Sequence, residues 1–326
     1  MMWTTTKAVR LPGVESGQDP GFAASVIDGL SRSCKSLPCR FFYDARGSAL
    51  FEDITRLPEY YLTRTEIAIL QAHADEITDA APEGAVLVEF GSGSGRKAEI
   101  LLNAFRQAKA YVPIDVSQSA LDNAKLRFAH RVPGIAVRPI VGDFSLPISL
   151  PDDLISAGKL GFFPGSTIGN FCPADASRLL SAMRAILALG GRLIVGVDLK
   201  KDPCALVRAY NDRAGVTAAF NLNLLVRINR ELEGSFDLNG FRHEAIYNPH
   251  EGRIEMHLVS LRHQTASVRG CRFSFRRGET IHTENSYKFT IGQFRDLART
   301  AGWRSGRVWT DEGELFSVHE LMPEPV

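Results

Sequence analysis

The six residues Ala85 to Phe90, A-V-L-V-E-F, run straight into the glycine turn G-S-G-S-G at Gly91 to Gly95, and this junction constrains the fold more than any other feature. An apolar run that does not alternate with polar residues suits a strand covered on both faces, the buried middle of a parallel sheet. Glycines placed directly after it permit a tight turn and close approach of a ligand. The helix expected next, from about Lys97 to Ala108, aims its N-terminal N–H groups at the same spot.

The rhythm then repeats. A-Y-V-P-I-D-V-S reads as a second strand ending at Asp115, Ser117 to His130 as a helix, and V-R-P-I-V-G-D-F-S as a third strand closing at Asp143. G-K-L-G-F-F-P-G-S-T-I-G-N-F gives a fourth strand closing at Asn170, Asp175 to Leu189 a helix, and G-R-L-I-V-G-V-D-L a fifth strand. Upstream, a helix is expected from Thr65 to about Ala80, capped by Thr63 or Thr65 with Glu66 in its first turn. Alternation of strand and helix predicts a doubly wound α/β sheet.

After Asp198 the rhythm breaks. A long helical stretch, Pro203 to Glu231, is followed by alternating strands such as R-I-E-M-H-L-V-S and R-F-S-F, before Thr290 to Ala301 returns as an amphipathic helix stopped by Gly302. R-V-W-T-D and E-L-F-S-V-H-E-L then form two closing strands. The middle block is therefore an insertion, expected to pack with the N-terminal segment as a second domain: residues 1–64 and 200–288 against residues 65–199 and 289–326. A length of 326 residues agrees, since it exceeds what one core usually serves.

Composition excludes several classes. Hydrophobic residues at 44% and charged residues at 23% exclude disorder, coiled coil and disulfide scaffold, and a net charge of +1 offers no field for a phosphate backbone. Cys34, Cys39, Cys172, Cys204 and Cys271 form no C-x-x-C pair, so no zinc or other metal site is expected. Met1 to Gly21 lacks the apolar core of a signal peptide, and no apolar run approaches the ~20 residues needed to span a bilayer. The expectation is a cytoplasmic protein, with no membrane or nucleic-acid partner and a flexible arm over its first twenty or so residues.

Taken alone, the glycine turn serves dinucleotides as well as S-adenosylmethionine. G-x-G-x-G lacks the third glycine of the dinucleotide fingerprint, where Arg96 or Lys97 stands, and a lysine there can reach a cofactor carboxylate. Asp115 is placed to accept from ribose hydroxyls, and Asp143 with Phe144 to hold an adenine; each acid could instead cap a helix. Asn170 could hold a substrate carboxylate or simply close a turn. Tyr210 reads as a core ring or a site residue, and Glu284 and Ser286, one residue apart in a strand, share one face that could be merely solvated. Among the aromatics of Phe41 to Tyr61, mostly core, the adjacent Tyr60 and Tyr61 stand out because a buried phenol needs a polar partner.

Taken together, F-F-Y-D-A-R-G-S-A-L-F-E, L-P-E-Y-Y-L-T-R-T-E, Y-V-P-I-D-V-S, G-S-T-I-G-N-F, G-V-T-A-A-F-N-L-N-L-L-V-R-I-N-R-E-L, R-I-E-M-H-L-V-S and I-H-T-E-N-S-Y-K-F resemble the histidine Nα-methyltransferases that form hercynine for ergothioneine synthesis. The likeness covers nearly all of the chain after about Ser36. It implies a Rossmann-like S-adenosylmethionine-dependent methyltransferase fold with a second α+β domain. It further implies that Tyr60, Asn170 and Tyr210 hold the amino and carboxylate groups of L-histidine, that Glu284 and Ser286 bind its imidazole, and that Tyr43 lies near that ring. The matching cofactor positions are Gly91, Lys97, Asp115, Asp143 and Phe144. The G-S-G-S-G-R-K-A turn departs from the Ser/Thr-rich version more common in the family, which touches only cofactor contacts.

The chemistry so implied needs alignment more than a strong base, because the methyl group of the cofactor is already activated and desolvation near a cation eases loss of the ammonium proton. Tyr60 suits a positioning role through three methylations, since an aromatic face tolerates a quaternary nitrogen. Some relatives methylate tryptophan derivatives, so Nα-methylation of another aromatic amino acid is the alternative reading; a non-catalytic binding protein and a dehydrogenase are the rivals from other classes. A monomer is expected.

Overall fold

The computed structural model describes residues 21–324 except Ala80, Glu83, Ser145, Pro147, Ala188 and Leu189; the predicted flexible arm lies outside the described residues. The larger sheet runs, in spatial order, Trp303–Thr310, Phe316–Pro323, Arg192–Asp198, Lys159–Phe163, Val86–Phe90, Ala110–Asp115 and Ala136–Val137, with Ile140–Val141 also paired to Ala110–Asp115. Every pairing is parallel except those of Phe316–Pro323, which is antiparallel to both neighbours. The order reverses between Val86–Phe90 and Lys159–Phe163, and this switch point opens a crevice at the carboxyl ends of the strands.

Strand periodicity divides the core into two apolar layers. Leu87, Tyr111, Leu160, Phe162, Ile194 and Val318 face one way; Val86, Val88, Phe90, Val112, Phe163, Val195 and Leu321 face the other. The first layer is continuous with Phe22, Phe41, Phe220, Ile254 and Ile281, so one face of the main sheet shares its core with the inserted segment.

The insertion builds a second sheet, Lys35–Ser36, Thr280–Tyr287, Arg253–Ser260 and Phe241–Asn248, with Pro203–Tyr210 and Val216–Glu231 packed on it and a separate hairpin, Gln264–Val268 with Cys271–Phe275. Lys35–Ser36 from the N-terminal segment pairs in parallel with Thr280–Tyr287. Among the described residues no helix is long and apolar enough to cross a membrane.

Several expectations are corrected. The helix expected from Thr65 begins at Tyr61 and runs to Asp79 with a break at His73, so neither Thr63 nor Thr65 caps it. Pro203 to Glu231 is two helices, Pro203–Tyr210 and Val216–Glu231, because Gly215 takes φ 74° and opens the second. The third strand is two fragments, Ala136–Val137 and Ile140–Val141, with Asp143 beyond them; Pro139 between them cannot donate to a ladder. The fourth strand stops at Phe163, and Asn170 ends a 3-10 turn, Thr167–Asn170. By contrast, Thr290 caps the helix Ile291–Thr300 through a reciprocal bond with Gln293, and Gly302 follows at φ 77°.

Candidate active site

The glycine turn sits where the first strand meets the crevice. Gly91, Gly93 and Gly95 take φ of 79°, 46° and 68°, a left-handed region that other residues rarely adopt. A β carbon at Gly91 would lie 3.5 Å from the Phe144 ring, whose edge packs on Phe90 and Phe163. Asp115 ends its strand half-buried, accepting from the N–H groups of Ser117 at 2.9 Å and, loosely, Gly93 at 3.3 Å. Asp143 is half-buried two residues past its strand fragment. Within the turn, the buried Ser92 hydroxyl has no partner among the described residues.

Lys97 is directed differently from a free cofactor ligand. Its ammonium donates to Glu66 at 2.5 Å, and the buried Glu66 carboxylate also accepts from Gly165 N–H at 2.9 Å. The carboxylate fits against strand Arg192–Asp198 only because position 196 is glycine: a β carbon there would lie 2.1 Å from Glu66 Oε1. Glu66, expected merely as a favourable first-turn charge, instead pins the turn before Ser166 to the helix that carries Lys97.

Across the crevice an aromatic group gathers from three segments. Tyr43 packs edge-on against Phe51 and Phe220, Phe51 against Tyr60, and Tyr60 against Tyr210 at a ring separation of 6.1 Å. Burial first, then the charge of Glu284, pushes the Tyr43 phenol well up; for Tyr60 burial is followed by Tyr210 and then Glu284. The three phenols, Tyr210 included, therefore stay neutral. No hydrogen bond joins the Tyr43 or Tyr60 hydroxyl, or the Asn170 amide, to another described residue.

Glu284 and Ser286 stand opposite Met256 and Ile254 on strand Arg253–Ser260, hence on one face. A bulge between His282 and Glu284 inserts Thr283, so His282, opposite His257, faces the other way. Burial pushes the Glu284 carboxyl up to about 7 against the pull of Lys288, and no described residue donates a hydrogen bond to it. Ser286 is bonded to Tyr210 Oη at 2.7 Å and to Lys288 Nζ at 2.9 Å. Asn170 belongs to the turn that abuts this strand: a β carbon at Gly169 would lie 2.7 Å from the carbonyl oxygen of Tyr287.

Thus Tyr43, Tyr60, Tyr210, Glu284 and Ser286 form one cluster, with Asn170 at its edge, while Gly91, Asp115, Asp143 and Phe144 edge the sheet. Sequence reasoning missed Phe51 and Phe220, which wall the cluster, and a buried polar group behind it. Lys288 donates to Tyr210 and Ser286 and pairs with Asp198 at 2.7 Å, both side chains fully buried. Asp198 also accepts from Tyr61 at 2.9 Å and from Lys201. The period of two that joined Glu284 to Ser286 was a usable signal for Lys288; nothing local pointed to Asp198.

Residues 22–323 match the family described as histidine-specific, S-adenosylmethionine-dependent methyltransferases. The chain is 43% identical over 295 residues to a histidine N-alpha-methyltransferase of Mycolicibacterium smegmatis, covering 89% of this chain and 91% of that one. It is 40% identical over 311 residues to the protein of the same name from Mycobacterium tuberculosis, covering 93% and 96%. Ergothioneine biosynthesis protein 1 of Neurospora crassa is 32% identical over 310 residues, 88% of this chain but 33% of that longer protein.

Proposed function

We propose that this chain, which belongs to the family of histidine-specific, S-adenosylmethionine-dependent methyltransferases, methylates the α-nitrogen of L-histidine until that nitrogen is quaternary, the product being hercynine, an intermediate of ergothioneine synthesis. It is an enzyme, and its cofactor is S-adenosylmethionine. The observation that carries the residue assignment is the Glu284 carboxylate, half-buried beside neutral phenols and without a hydrogen-bond donor among the described residues, which suits a ring N–H.

The residues at the sheet edge fit the cofactor. An orphaned Ser92 hydroxyl, a turn with glycine at every second position, a half-buried Asp115 carboxylate and the Phe144 ring beside Gly91 match hydrogen-bonding and stacking groups of a nucleoside. On this reading Gly91, Asp115, Asp143 and Phe144 hold it, and Lys97 shapes the site through Glu66. When bound, it supplies an activated methyl group on a sulfonium.

The chain's own residues orient the acceptor. Glu284 takes the imidazole N–H and Ser286 donates to the other ring nitrogen; Asn170 holds the carboxylate, and the free lone pair of Tyr210 accepts from the amino group. Tyr60, neutral and without a hydrogen-bond partner, faces the amine and offers an oxygen while N–H bonds remain and a ring face once they are gone. Tyr43 lies beside the imidazole, near Glu284. No side chain is assigned as a strong base: exclusion of water lowers the affinity of the ammonium for its proton. We divide the chain into a substrate lobe, residues 1–64 and 200–288, and a cofactor lobe, residues 65–199 and 289–326, acting as a cytoplasmic monomer without nucleic acid; the separate sheet that the insertion forms with Lys35–Ser36 supports the division, and the net charge of +1 supports the lack of a nucleic-acid partner.

The test is mass spectrometry of histidine incubated with enzyme and S-adenosylmethionine, with tryptophan alongside. Addition of three methyl groups to histidine is expected. Equal or greater methylation of tryptophan would overturn the assignment of Glu284 and Ser286.

A further inference from the structure

The chain leaves the main sheet for its insertion just after Asp198 and returns just after Lys288. These two side chains meet at 2.7 Å with no exposure to solvent, and Leu199 and Phe289, the next residues on each side, form a β bridge. Every donor of the Lys288 ammonium is committed: Asp198 Oδ2, Ser286 Oγ at 2.9 Å and Tyr210 Oη at 3.0 Å. A lysine has three donors and no acceptor, so the direction of all three bonds is fixed.

That fixes the two hydroxyls as well. Ser286 and Tyr210 are themselves 2.7 Å apart and carry one proton each. Lys288 occupies one acceptor position on each oxygen, and one proton is shared between them. One proton is left, so the pair always presents a single donor to the crevice, on one oxygen, and a single free lone pair, on the other. Without the ammonium, both hydroxyls could turn toward each other or toward Asp198, and the pair would present no fixed pattern.

We propose that Lys288 is a positioning residue for substrate recognition: anchored on Asp198 at the root of the insertion, it holds the Ser286 and Tyr210 hydroxyls in the one-donor, one-acceptor arrangement that receives the amino acid. This rests on the reading of Ser286 and Tyr210 as substrate contacts. Lys288 touches neither substrate nor cofactor, and its effect passes through the hydroxyls. Asp198 does not depend on it alone, because Tyr61 and Lys201 also bond to that carboxylate.

The experiment is a double-mutant cycle with Lys288→Met and Ser286→Ala, read as KM for histidine, kcat, and affinity for S-adenosylhomocysteine, with thermal melting as the folding control. Lys288→Met is expected to raise KM for histidine about 10-fold while leaving S-adenosylhomocysteine affinity within about 2-fold, the size of one lost hydrogen bond. In the Ser286→Ala background the same change should add less than about 3-fold. An equal loss in both backgrounds, or equal loss of histidine and S-adenosylhomocysteine binding, would overturn the proposal. Lys288→Arg, run through the same cycle, retains the charge facing Asp198 and decides the matter if the methionine variant does not fold: it should recover melting more fully than KM. Should Ser286→Ala itself leave KM for histidine unchanged, the assignment of Ser286 fails first, an outcome distinct from failure of Lys288 alone.

Discussion

A half-buried carboxylate that is desolvated, has no hydrogen-bond donor among the described residues and stands next to three phenols is costly until something arrives to bond it, and Glu284 is in that state. With its carboxyl pushed up to about 7 from an ordinary value of 4.5, the folded protein binds a proton that the unfolded chain has already released between those two values. The resulting penalty is absent below about pH 4.5, grows as pH rises to 7 and is constant above. Glu284→Gln should therefore stabilise the ligand-free protein at pH 8 by about 1–3 kcal/mol, with little change at pH 4.5, as read by chemical denaturation. The same change should weaken histidine binding by about 10-fold or more at pH 8 and remove the part of its pH dependence that sets in below 7, measured by calorimetry. A variant that gained no stability at pH 8 would show that the carboxylate finds a partner in the ligand-free protein. The sequence made Glu284 and Ser286 visible as a pair because alternation in a strand is local. Lys288 continues the same alternation, but its role depends on Asp198, ninety residues earlier, and no spacing rule reaches across an insertion.

Elements were legible where one periodicity ran unbroken and illegible where a single residue interrupted it. Val86–Phe90 and the helix Ile291–Thr300 carry their own signals, an apolar run and a capping box. The helix starts at Tyr61, one turn before the expected Thr65, and its aromatic first residue gives no local start signal; the Tyr61 hydroxyl bonds to Asp198, far away in the chain. Gly215 split a stretch whose amphipathic pattern continues on both sides. The glycine turn was legible in kind, and the structure adds what each glycine does. At Gly95 the backbone is left-handed and a β carbon would lie 2.9 Å from the Phe128 ring, so Gly95→Ala meets both strain and crowding. A loss of about 1–3 kcal/mol in urea denaturation is expected, together with weaker S-adenosylmethionine binding by calorimetry. Unchanged cofactor affinity would mean that the turn's shape is not what the cofactor reads.

At the scale of the whole molecule, two apolar layers and one polar joint do different work. The layer containing Leu87, Phe162, Phe220 and Ile254 runs without interruption from the main sheet into the inserted segment, which gives adhesion but little direction, because apolar contacts tolerate sliding. Direction comes from the joint at Asp198, where Tyr61, Lys201 and Lys288 converge on one carboxylate. Removing one partner of a buried pair leaves the others uncompensated, and Asp198→Ala strands two lysines near each other. A loss of about 3–5 kcal/mol is expected near neutral pH. Its pH dependence has a definite sign: burial, opposed by Asp198, already lowers Lys201 to about 8 from 10.5, so the cost of its charge is full below 8 and is relieved as pH rises toward 10.5. In the variant, which lacks the opposing carboxylate, denaturation at pH 10 should recover a larger share of the lost stability than wild type gains over the same range. If Asp198→Ala costs less than about 1 kcal/mol at neutral pH, the apolar layer alone orients the inserted segment, and the hydroxyls of Ser286 and Tyr210 owe their placement to packing.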